Sequence, residues 1–576
     1  MSVPVSVAAT FCATLVDEWA LGGVTDAVVC PGSRSTPLAL ALAADDRIRL
    51  HVVIDERSAA FFALGIGLRT GRPAVVLTTS GTAAVELHPA VTEAHHAGVP
   101  LMAVTADRPP EAHGVGAPQT IEQGDLYGRA LRWRADPGVP DNAARSGWRS
   151  LAARAVVEAV GAGGRPGPVH LNLAFREPLV GRPGDLPARR PGDRPWHQVS
   201  VGRPTVSPSA LAELADRLSG RSGVIVSGAG SGDPTAVHRL AQQLGWPVLA
   251  DARSSARVPA PATVAAFDAL LRDRSFAARS VPEVVLRLGA TPASRVLADW
   301  AASSGAEQVA MEPHGVWLDP DRLLDTLMVG EPTDVCNALG GLQPRPAPPG
   351  WTGLWADAEQ AAQSAIAGVL AGHQEITEPG VARTLLSCLP AGAALVVASS
   401  MPIRDVEWYG AARHDIEVVA NRGANGIDGM VSTILGAAAG SEGRPTVGLL
   451  GDLAFLHDAG ALVGAATRGL DAVMVVVDNK GGGIFSFLPQ ATSVAAPLAE
   501  RLFGTPHEVD PVSLAAAYGL EAREVTAADQ LAPAVAWGLS TGGVTVIVVR
   551  TDRKTNVAVH DEIHAAVSAA LGAPAG

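Results

Sequence analysis

The sequence predicts three α/β domains, each with a mainly parallel, doubly wound sheet covered by helices on both faces. The chain has 576 residues, which is too long for a single hydrophobic core. Short apolar runs alternate with longer amphipathic segments, a pattern typical of parallel sheets buried on both faces. Two proline-rich breaks, at 182–208 and 342–351, separate groups of these runs. They place the domains at residues 1–185, 186–348 and 349–576.

We predict a buried strand at each apolar run that ends in a small or polar residue. The first domain contains TDAVVC (25–30), LHVVID (50–55), PAVVLT (73–78), PLMAVTA (100–106) and PVHLNL (168–173). The second contains GVIVSGAG (223–230), PVLAD (247–251), VVLRLG (284–289) and QVAME (308–312). The third contains ALVVAS (394–399), IEVVA (416–420), TVGLLG (446–451), AVMVVVD (472–478) and VTVIVV (544–549). Since ligands of open α/β sheets bind at the carboxyl ends of strands, functional residues should directly follow these runs.

Composition and charge exclude several classes of partner. The net charge of −13 argues against binding to nucleic acid or to an anionic membrane surface. No apolar run approaches the roughly 20 residues that span a bilayer. The N-terminal stretch has no basic start and contains Asp17 and Glu18, so we interpret it as a helix instead of a signal peptide. We therefore expect a soluble, cytoplasmic protein.

The strongest functional signal follows two runs of the third domain. TVGLLG ends at Gly451 and leads into Asp452, while AVMVVVD leads into Asn479, with Gly481 two residues later. The interval of 479 − 452 = 27 residues is about one crossover helix between neighbouring parallel strands. Mg²⁺ prefers oxygen ligands and often completes its shell with phosphates. We predict that Asp452, the side-chain oxygen of Asn479 and the carbonyl of Gly481 bind Mg²⁺ together with a diphosphate; a Gly-Asp pair that only begins a helix is the alternative.

This pair of motifs resembles the metal site of thiamine-diphosphate enzymes, in which Gly-Asp-Gly is followed by Asn after a similar interval. Leu453 stands in place of the third motif residue, a departure found in one branch of those enzymes. The resemblance implies that Glu56, just after LHVVID, hydrogen-bonds the aminopyrimidine ring and promotes loss of the thiazolium C2 proton. A carboxyl group in a largely apolar pocket suits that role because desolvation raises its pKa. An acid that only stabilises a helix start is the other interpretation of Glu56.

Four stretches narrow the resemblance to the 2-succinyl-5-enolpyruvyl-6-hydroxy-3-cyclohexene-1-carboxylate synthase family of menaquinone biosynthesis. They are PGSRSTP (31–37), TSGTA (79–83), NRGANGIDG (421–429) and DNKGGGIF (478–485). The first and third stretches are the specific ones. The resemblance implies a thiamine-diphosphate-binding fold, with thiamine diphosphate and Mg²⁺ as cofactors and Mn²⁺ as an alternative metal. It further implies decarboxylation of 2-oxoglutarate and 1,4-addition of the succinyl-semialdehyde carbanion to isochorismate.

Four arginines give independent support for substrates that carry several carboxylates. Arg34, Arg108, Arg404 and Arg422 all lie just beyond apolar runs, in loops with Gly, Ser, Asp or Pro. 2-Oxoglutarate and isochorismate each carry two carboxylates, and arginine binds carboxylates bidentately. Any one of these arginines alone would more often be a surface residue. The set is what favours the two dicarboxylates.

The family resemblance also implies roles for individual residues. Cofactor contacts are implied for Ser80, Gly81, Thr82, Ser400, Ile427, Gly451, Leu453 and Ile484. Substrate contacts are implied for Ser33, Arg34, Arg108, Gln119, Arg295, Arg404, Arg422 and Phe485. It implies a homodimer or homotetramer in which the first and third domains of different subunits form each active site.

Two further interpretations share part of this pattern. Another thiamine-diphosphate lyase, of the acetolactate-synthase or decarboxylase kind and with or without flavin in the middle domain, would have the same metal motif. The arginine set and Leu453 argue against it. A non-catalytic paralogue acting as a binding or regulatory subunit would have the same fold. The presence of Glu56, Asp452 and Asn479 together argues against that.

Overall fold

Three six-stranded sheets form the framework of the molecule. The computed structural model describes residues 4–162, 164–200, 202 and 204–572. All strand pairings that it describes within the three sheets are parallel. The predicted fold class of three α/β domains with mainly parallel sheets is confirmed. The domain boundaries after residues 185 and 348 remain predictions.

The first sheet has the strand order β2-β1-β3-β4-β6-β5. Its strands are β1 (Asp26–Val29), β2 (Arg49–Val52), β3 (Ala74–Thr78), β4 (Leu101–Asp107), β5 (Trp133–Ala135) and β6 (Pro168–Ala174). The accompanying helices are α1 (Val7–Leu21), α2 (Thr36–Ala43), α3 (Glu56–Thr70), α4 (Thr82–Val85), α5 (His88–Ala97) and α6 (Trp148–Ala159). Helices α1, α2 and α6 pack on one face and α3 and α5 on the other, giving two separate cores.

The second sheet has the strand order β12-β11-β10-β7-β8-β9. Its strands are β7 (Gly223–Ser227), β8 (Val248–Ala250), β9 (Thr263–Val264), β10 (Val284–Leu288), β11 (Glu307–Glu312) and β12 (Thr326–Val329). Its helices are α7 (Pro208–Leu218), α8 (Pro234–Leu244), α9 (Phe267–Arg272), α10 (Arg274–Arg279), α11 (Arg295–Ser303) and α12 (Pro332–Gly341). This is the strand order of dinucleotide-binding domains, but a fold does not by itself specify a ligand.

The third sheet, with the order β14-β13-β15-β16-β18-β17, repeats the topology of the first. Its strands are β13 (Ala394–Val397), β14 (Glu417–Val419), β15 (Thr446–Gly451), β16 (Ala472–Asp478), β17 (Glu521–Val525) and β18 (Val544–Arg550). The helices are α13 (Trp351–Gly372), α14 (Glu378–Cys388), α15 (Met401–Tyr409), α16 (Met430–Ala439), α17 (Asp452–His457), α18 (Gln490–Ser493), α19 (Ala496–Ala499), α20 (Pro511–Ala517), α21 (Leu531–Thr541) and α22 (Arg553–Gly572). Within the described ranges, no helix is both long and apolar enough to cross a bilayer.

Helices α3 and α16 pack tightly against each other and join the first and third sheets through one hydrophobic core. Glycines permit the close approach of their backbones. A Cβ atom at Gly436 would overlap the carbonyl oxygen of Phe62, and one at Gly65 would overlap the carbonyl oxygen of Thr433. Because α3 begins at Glu56 and α16 follows Ile427, this contact fixes two predicted site residues relative to each other.

Candidate active site

Asp452 and Asn479 lie side by side at the carboxyl edge of the third sheet. Asp452 follows β15 and Asn479 follows β16, and these strands pair in parallel with Gly451 opposite Val477. The Oδ2 atom of Asp452 accepts a hydrogen bond of 2.8 Å from the backbone nitrogen of Gly481. Burial raises the pKa of Asp452 to about 6. The fold therefore brings together the three residues that the sequence suggested as metal ligands.

The side-chain oxygen of Asn479 is a buried acceptor without a hydrogen-bond partner in the described part of the chain. The side-chain nitrogen instead donates a bond of 2.8 Å to Oε1 of Glu378, which leaves Oδ1 available to a ligand. An unsatisfied buried polar group costs about 1–3 kcal/mol, a cost that a bound cation would remove. Together with the carboxylate of Asp452 and the carbonyl of Gly481, Oδ1 would give an all-oxygen donor set, which Mg²⁺ prefers. The residues present fit this metal.

Glu56 lies at the carboxyl edge of the first sheet, at the start of α3. Asp55 caps this helix by accepting a bond of 2.8 Å from the backbone nitrogen of Ser58. Glu56 is half-buried, and burial raises its pKa, with the negative charges of Asp55 and Glu86 acting in the same direction. A raised pKa favours the protonated form, as proton sharing with a ligand requires. Glu56 is thus both a helix-start acid and a candidate proton carrier.

Glu56 lines a cavity of about 620 Å³. Residues between 31 and 119 form its described lining. They include the predicted site residues Ser33, Glu56, Thr82 and Gln119. The third sheet contributes none of the described lining residues. The predicted residues around Glu56 and the predicted metal ligands therefore lie on different sheets of the chain.

The loop at residues 80–82 is tied to Gln119 by reciprocal hydrogen bonds. The hydroxyl of Ser80 donates to the Gln119 carbonyl at 2.7 Å, and Nε2 of Gln119 donates to the Ser80 carbonyl at 3.0 Å. Gly81 has a φ of 80°, and its nitrogen donates to Oε1 of the buried Gln123 at 2.8 Å. The predicted cofactor loop and the predicted substrate residue Gln119 therefore form one rigid unit.

Arg34 and Arg108 form a positively charged pair beside the first sheet. Burial lowers the pKa of Arg34, and the positive charge of Arg108 lowers it further. Arg34 donates to the carbonyl of Phe175 at 3.0 Å and lies 3.2 Å from the carboxylate of Glu177. The Nε atoms of both arginines are buried and lack protein partners among the described residues. These unpaired donors suit the binding of a carboxylate.

A second group of arginines lies near the carboxyl edge of the third sheet. Burial lowers the pKa of Arg422, as do the charges of Arg253 and Arg404. Arg404 donates to the carbonyl of Ser400 at 2.5 Å, and Ser400, with a φ of 76°, begins α15. The Nε of Arg422 is buried without a partner in the described ranges, and Arg422 lines a cavity of about 1330 Å³ where the three domains meet.

The remaining predicted residues fall into two groups. Ile427 packs against the core shared by the first and third sheets, Ile484 packs against the core beneath α15 and α22, and the ring of Phe485 lies 5.5 Å from that of Phe503. Arg295, in contrast, is exposed on the second domain, where it forms an ion pair of 2.6 Å with Asp299. The structure therefore brings Arg422, Arg404 and Ser400 together, whereas the guanidinium of Arg295 is engaged by its own helix.

Comparison with protein families assigns all three domains to thiamine-dependent enzymes. Residues 9–126 match the N-terminal binding domain of thiamine pyrophosphate enzymes, thiamine pyrophosphate being another name for thiamine diphosphate. Residues 191–397 match the middle domain, and residues 412–549 match the C-terminal binding domain. The thiamine-diphosphate-binding fold and the cofactor expected from the sequence are confirmed.

Relatives define the family more narrowly. A 2-succinyl-5-enolpyruvyl-6-hydroxy-3-cyclohexene-1-carboxylate synthase from Chloroflexus aurantiacus is 44% identical over 97% of this chain and 96% of its own length. The chain belongs to this synthase family. Synthases of the same name from Myxococcus xanthus and Geobacillus kaustophilus are 42% and 41% identical. They cover 97% and 96% of this chain, and 97% and 96% of their own lengths.

Three residues of this family member contact predicted site residues or their direct sequence neighbours without having been predicted themselves. Glu93 of α5 is buried and accepts bonds of 2.6 and 2.5 Å from the backbone nitrogens of Gly423 and Ala424, beside Arg422. Glu378 accepts the bond from Asn479 described above. Nε2 of His507 lies 3.2 Å from Oδ2 of Asp452. None of the three lies within a motif, so the sequence carries no signal for them.

Proposed function

We propose that the chain decarboxylates 2-oxoglutarate and adds the resulting four-carbon unit to isochorismate, as a 2-succinyl-5-enolpyruvyl-6-hydroxy-3-cyclohexene-1-carboxylate synthase of menaquinone biosynthesis. The relatives that carry this name match nearly the whole chain. The observation that carries the substrate assignment is the set of buried Nε atoms of Arg34, Arg108 and Arg422. Each is a donor without a protein partner among the described residues. Two dicarboxylate substrates would satisfy such donors.

Thiamine diphosphate, when bound, supplies the electron sink for decarboxylation. On this chain, Asp452, Oδ1 of Asn479 and the carbonyl of Gly481 would hold Mg²⁺ or Mn²⁺ against the diphosphate. Glu56 would hold a proton at the aminopyrimidine ring, a role supported by its raised pKa. The other cofactor contacts proposed from the resemblance are Ser80, Gly81, Thr82, Ser400, Ile427, Gly451, Leu453 and Ile484.

The substrate roles of the individual residues are those that the family resemblance implies. Arg404 would bind the distal carboxylate of 2-oxoglutarate, and Arg34 and Arg422 would bind further carboxylates of the two substrates. Ser33, Arg108 and Gln119 would seat isochorismate, and Phe485 would line the pocket. Arg295 stays a proposal: in the single chain its guanidinium is paired with Asp299, so it would have to rearrange to reach a substrate.

We further propose a homodimer or homotetramer with active sites between subunits. The described lining of the cavity at Glu56 comes from residues 31–119, without a contribution from the metal-binding half. Beside this cavity, the side chains of Val52 and Ile54 are 54% and 65% exposed. Exposed apolar residues at the rim of a half-site favour a surface that another subunit covers. The partners would otherwise be small molecules, without nucleic acid or membrane, and we propose a cytoplasmic location.

The proposal is tested by following isochorismate consumption by ultraviolet absorbance with 2-oxoglutarate, thiamine diphosphate and Mg²⁺, omitting each in turn. We expect consumption only when all three are present. Release of CO₂ from 2-oxoglutarate while isochorismate stays intact would support 2-oxoglutarate as the donor and show that isochorismate is not the acceptor. If neither substrate reacted and pyruvate did, the chain would be an acetolactate-synthase-like lyase instead.

A further inference from the structure

Glu378 is a buried carboxyl group at the start of α14, next to the carboxyl edge of the third sheet. Only 4% of its surface is exposed. Burying a carboxyl group is costly unless it is hydrogen-bonded. Glu378 has two such bonds: Nδ2 of Asn479 donates to it at 2.8 Å, and the hydroxyl of Thr551 donates to it at 3.0 Å. These two hydrogen bonds hold the buried carboxyl group against Asn479 and Thr551.

The two neighbours of Glu378 lie at the ends of adjacent strands. Asn479 follows β16 and Thr551 follows β18, and the backbone nitrogen of Thr551 donates to the carbonyl of Asp478 at 3.1 Å. Thr551 is thus fixed by the sheet and in turn fixes the Glu378 carboxyl group. The carboxyl group presents a rigid acceptor to the side chain of Asn479.

Both hydrogen bonds end on the same atom, Oε1 of Glu378. That oxygen accepts whether the carboxyl group is ionised or carries a proton on Oε2. As long as Oε1 itself carries no proton, the part of the Asn479 amide that faces Glu378 is the NH₂ group, because an amide oxygen there would face another acceptor. The amide oxygen then lies on the opposite side, where it is buried without a partner in the part of the chain that the structure describes.

We propose that Glu378 is a positioning residue for the metal, which it serves by holding the Asn479 amide with its oxygen, and not its NH₂ group, toward the cation. This role rests on the proposed metal site. Without the Oε1 acceptor the amide can rotate by half a turn and present hydrogens to the metal. Partners of this kind, which orient a metal ligand without touching the metal, typically change metal affinity by about 10–100-fold when removed.

The test compares three variants by calorimetric titration. Mg²⁺ is titrated into the full-length protein at a fixed concentration of thiamine diphosphate. Glu378→Leu has a similar size but no acceptor, and we expect its Kd for Mg²⁺ to rise by about 10–100-fold. Glu378→Gln keeps an Oε1 acceptor and should restore a Kd close to that of the wild type. Thr551→Val, the control, removes the other bond to Glu378 and leaves the bond from Asn479 in place, so its Kd should change less than that of Glu378→Leu.

As a control for folding, the melting temperature of each variant is measured without metal. A melting temperature of Glu378→Leu close to that of the wild type would separate weaker Mg²⁺ binding from unfolding, and Glu378→Ala provides the same comparison if the leucine variant does not fold. Unchanged Mg²⁺ affinity in the folded variants would overturn the role of Glu378. Equal losses in Glu378→Gln and Glu378→Leu would also overturn it, because the effect would then depend on charge. Asn479→Ala separates the two proposals: if it bound Mg²⁺ like the wild type, the metal site itself would be wrong.

Discussion

At the residue scale, a chain of buried polar side chains supports the cofactor loop at Gly81. Gln123 accepts from Gly81 and donates to Asn172 at 2.9 Å, and Asn172 accepts from the hydroxyl of Thr105 at 2.9 Å. Since the Thr105 hydroxyl has one hydrogen, its contact of 2.8 Å with Nε2 of His170 requires His170 to be the donor. His170 is thus the last donor in this series of hydrogen bonds.

Burial lowers the pKa of His170 from its ordinary value of 6.5 to about 3. Above pH 6.5 neither the folded nor the unfolded chain carries this proton. As the pH falls from 6.5 toward 3, only the unfolded chain binds it, so His170 reduces the stability by about 1.4 kcal/mol per pH unit. We predict that the melting temperature of His170→Gln falls less between pH 7 and pH 5 than that of the wild type. The control is His414→Gln, at an exposed position, whose melting temperature should fall as much as that of the wild type. Equal losses in all three proteins would contradict this.

Residues inside local motifs were predictable, and residues that act across the fold were not. Asp452 and Asn479 each follow a strand directly, so the strand pattern alone placed them together. Glu93 reaches Gly423 over an interval of 330 residues, and Glu378 reaches Asn479 over 101. Such contacts depend on how domains and distant helices pack. A single glutamate in an amphipathic helix looks the same with or without such a contact.

At the element scale, the central strands were predicted and most edge strands were not. The unpredicted strands β5, β9, β12 and β17 all lie at sheet edges. Strand β17 has the sequence EAREV, in which only Val525 is fully buried. An edge strand has one neighbour instead of two and can present polar side chains to solvent, so it lacks the continuous apolar run that marks a buried strand. Strand β2, an edge strand within a predicted run, ends at Val52 instead of continuing to residue 55.

The contact between α3 and α16 leads to a prediction for Gly436. A Cβ atom there would overlap the Phe62 carbonyl oxygen, so Gly436→Ala should force the helices apart at a cost of about 1–3 kcal/mol. Gly368, in α13, has no neighbour within 4 Å of an added Cβ, and Gly368→Ala should stabilise its helix by up to about 1 kcal/mol. Melting temperatures of the two variants test this. A Gly436→Ala variant as stable as Gly368→Ala would show that the helices do not pack as described.

At the scale of the whole molecule, the first and third sheets share one topology, and each carries half of the candidate site. Glu56 follows the edge strand β2 of the first sheet, and Asp452 follows the central strand β15 of the third. The sequence predicted both halves from their strand ends. The sequence could not show whether the two halves of one site come from the same subunit or from different subunits, because a pattern along one chain contains no information on how subunits pair. The assignment to different subunits came from the family resemblance and stays a proposal.

In the proposed dimer, one active site takes Glu56 from one subunit and Asp452 from another. Combining two variants in one dimer tests this most directly. Glu56→Gln should bind cofactor but turn over little, and Asp452→Ala should fail to retain cofactor. A dimer of one subunit of each kind, purified through two different tags, would then contain one doubly altered site and one intact site. We predict about half of the wild-type rate of isochorismate consumption for this dimer. A dimer as inactive as its parents would show that both residues of a site belong to the same chain.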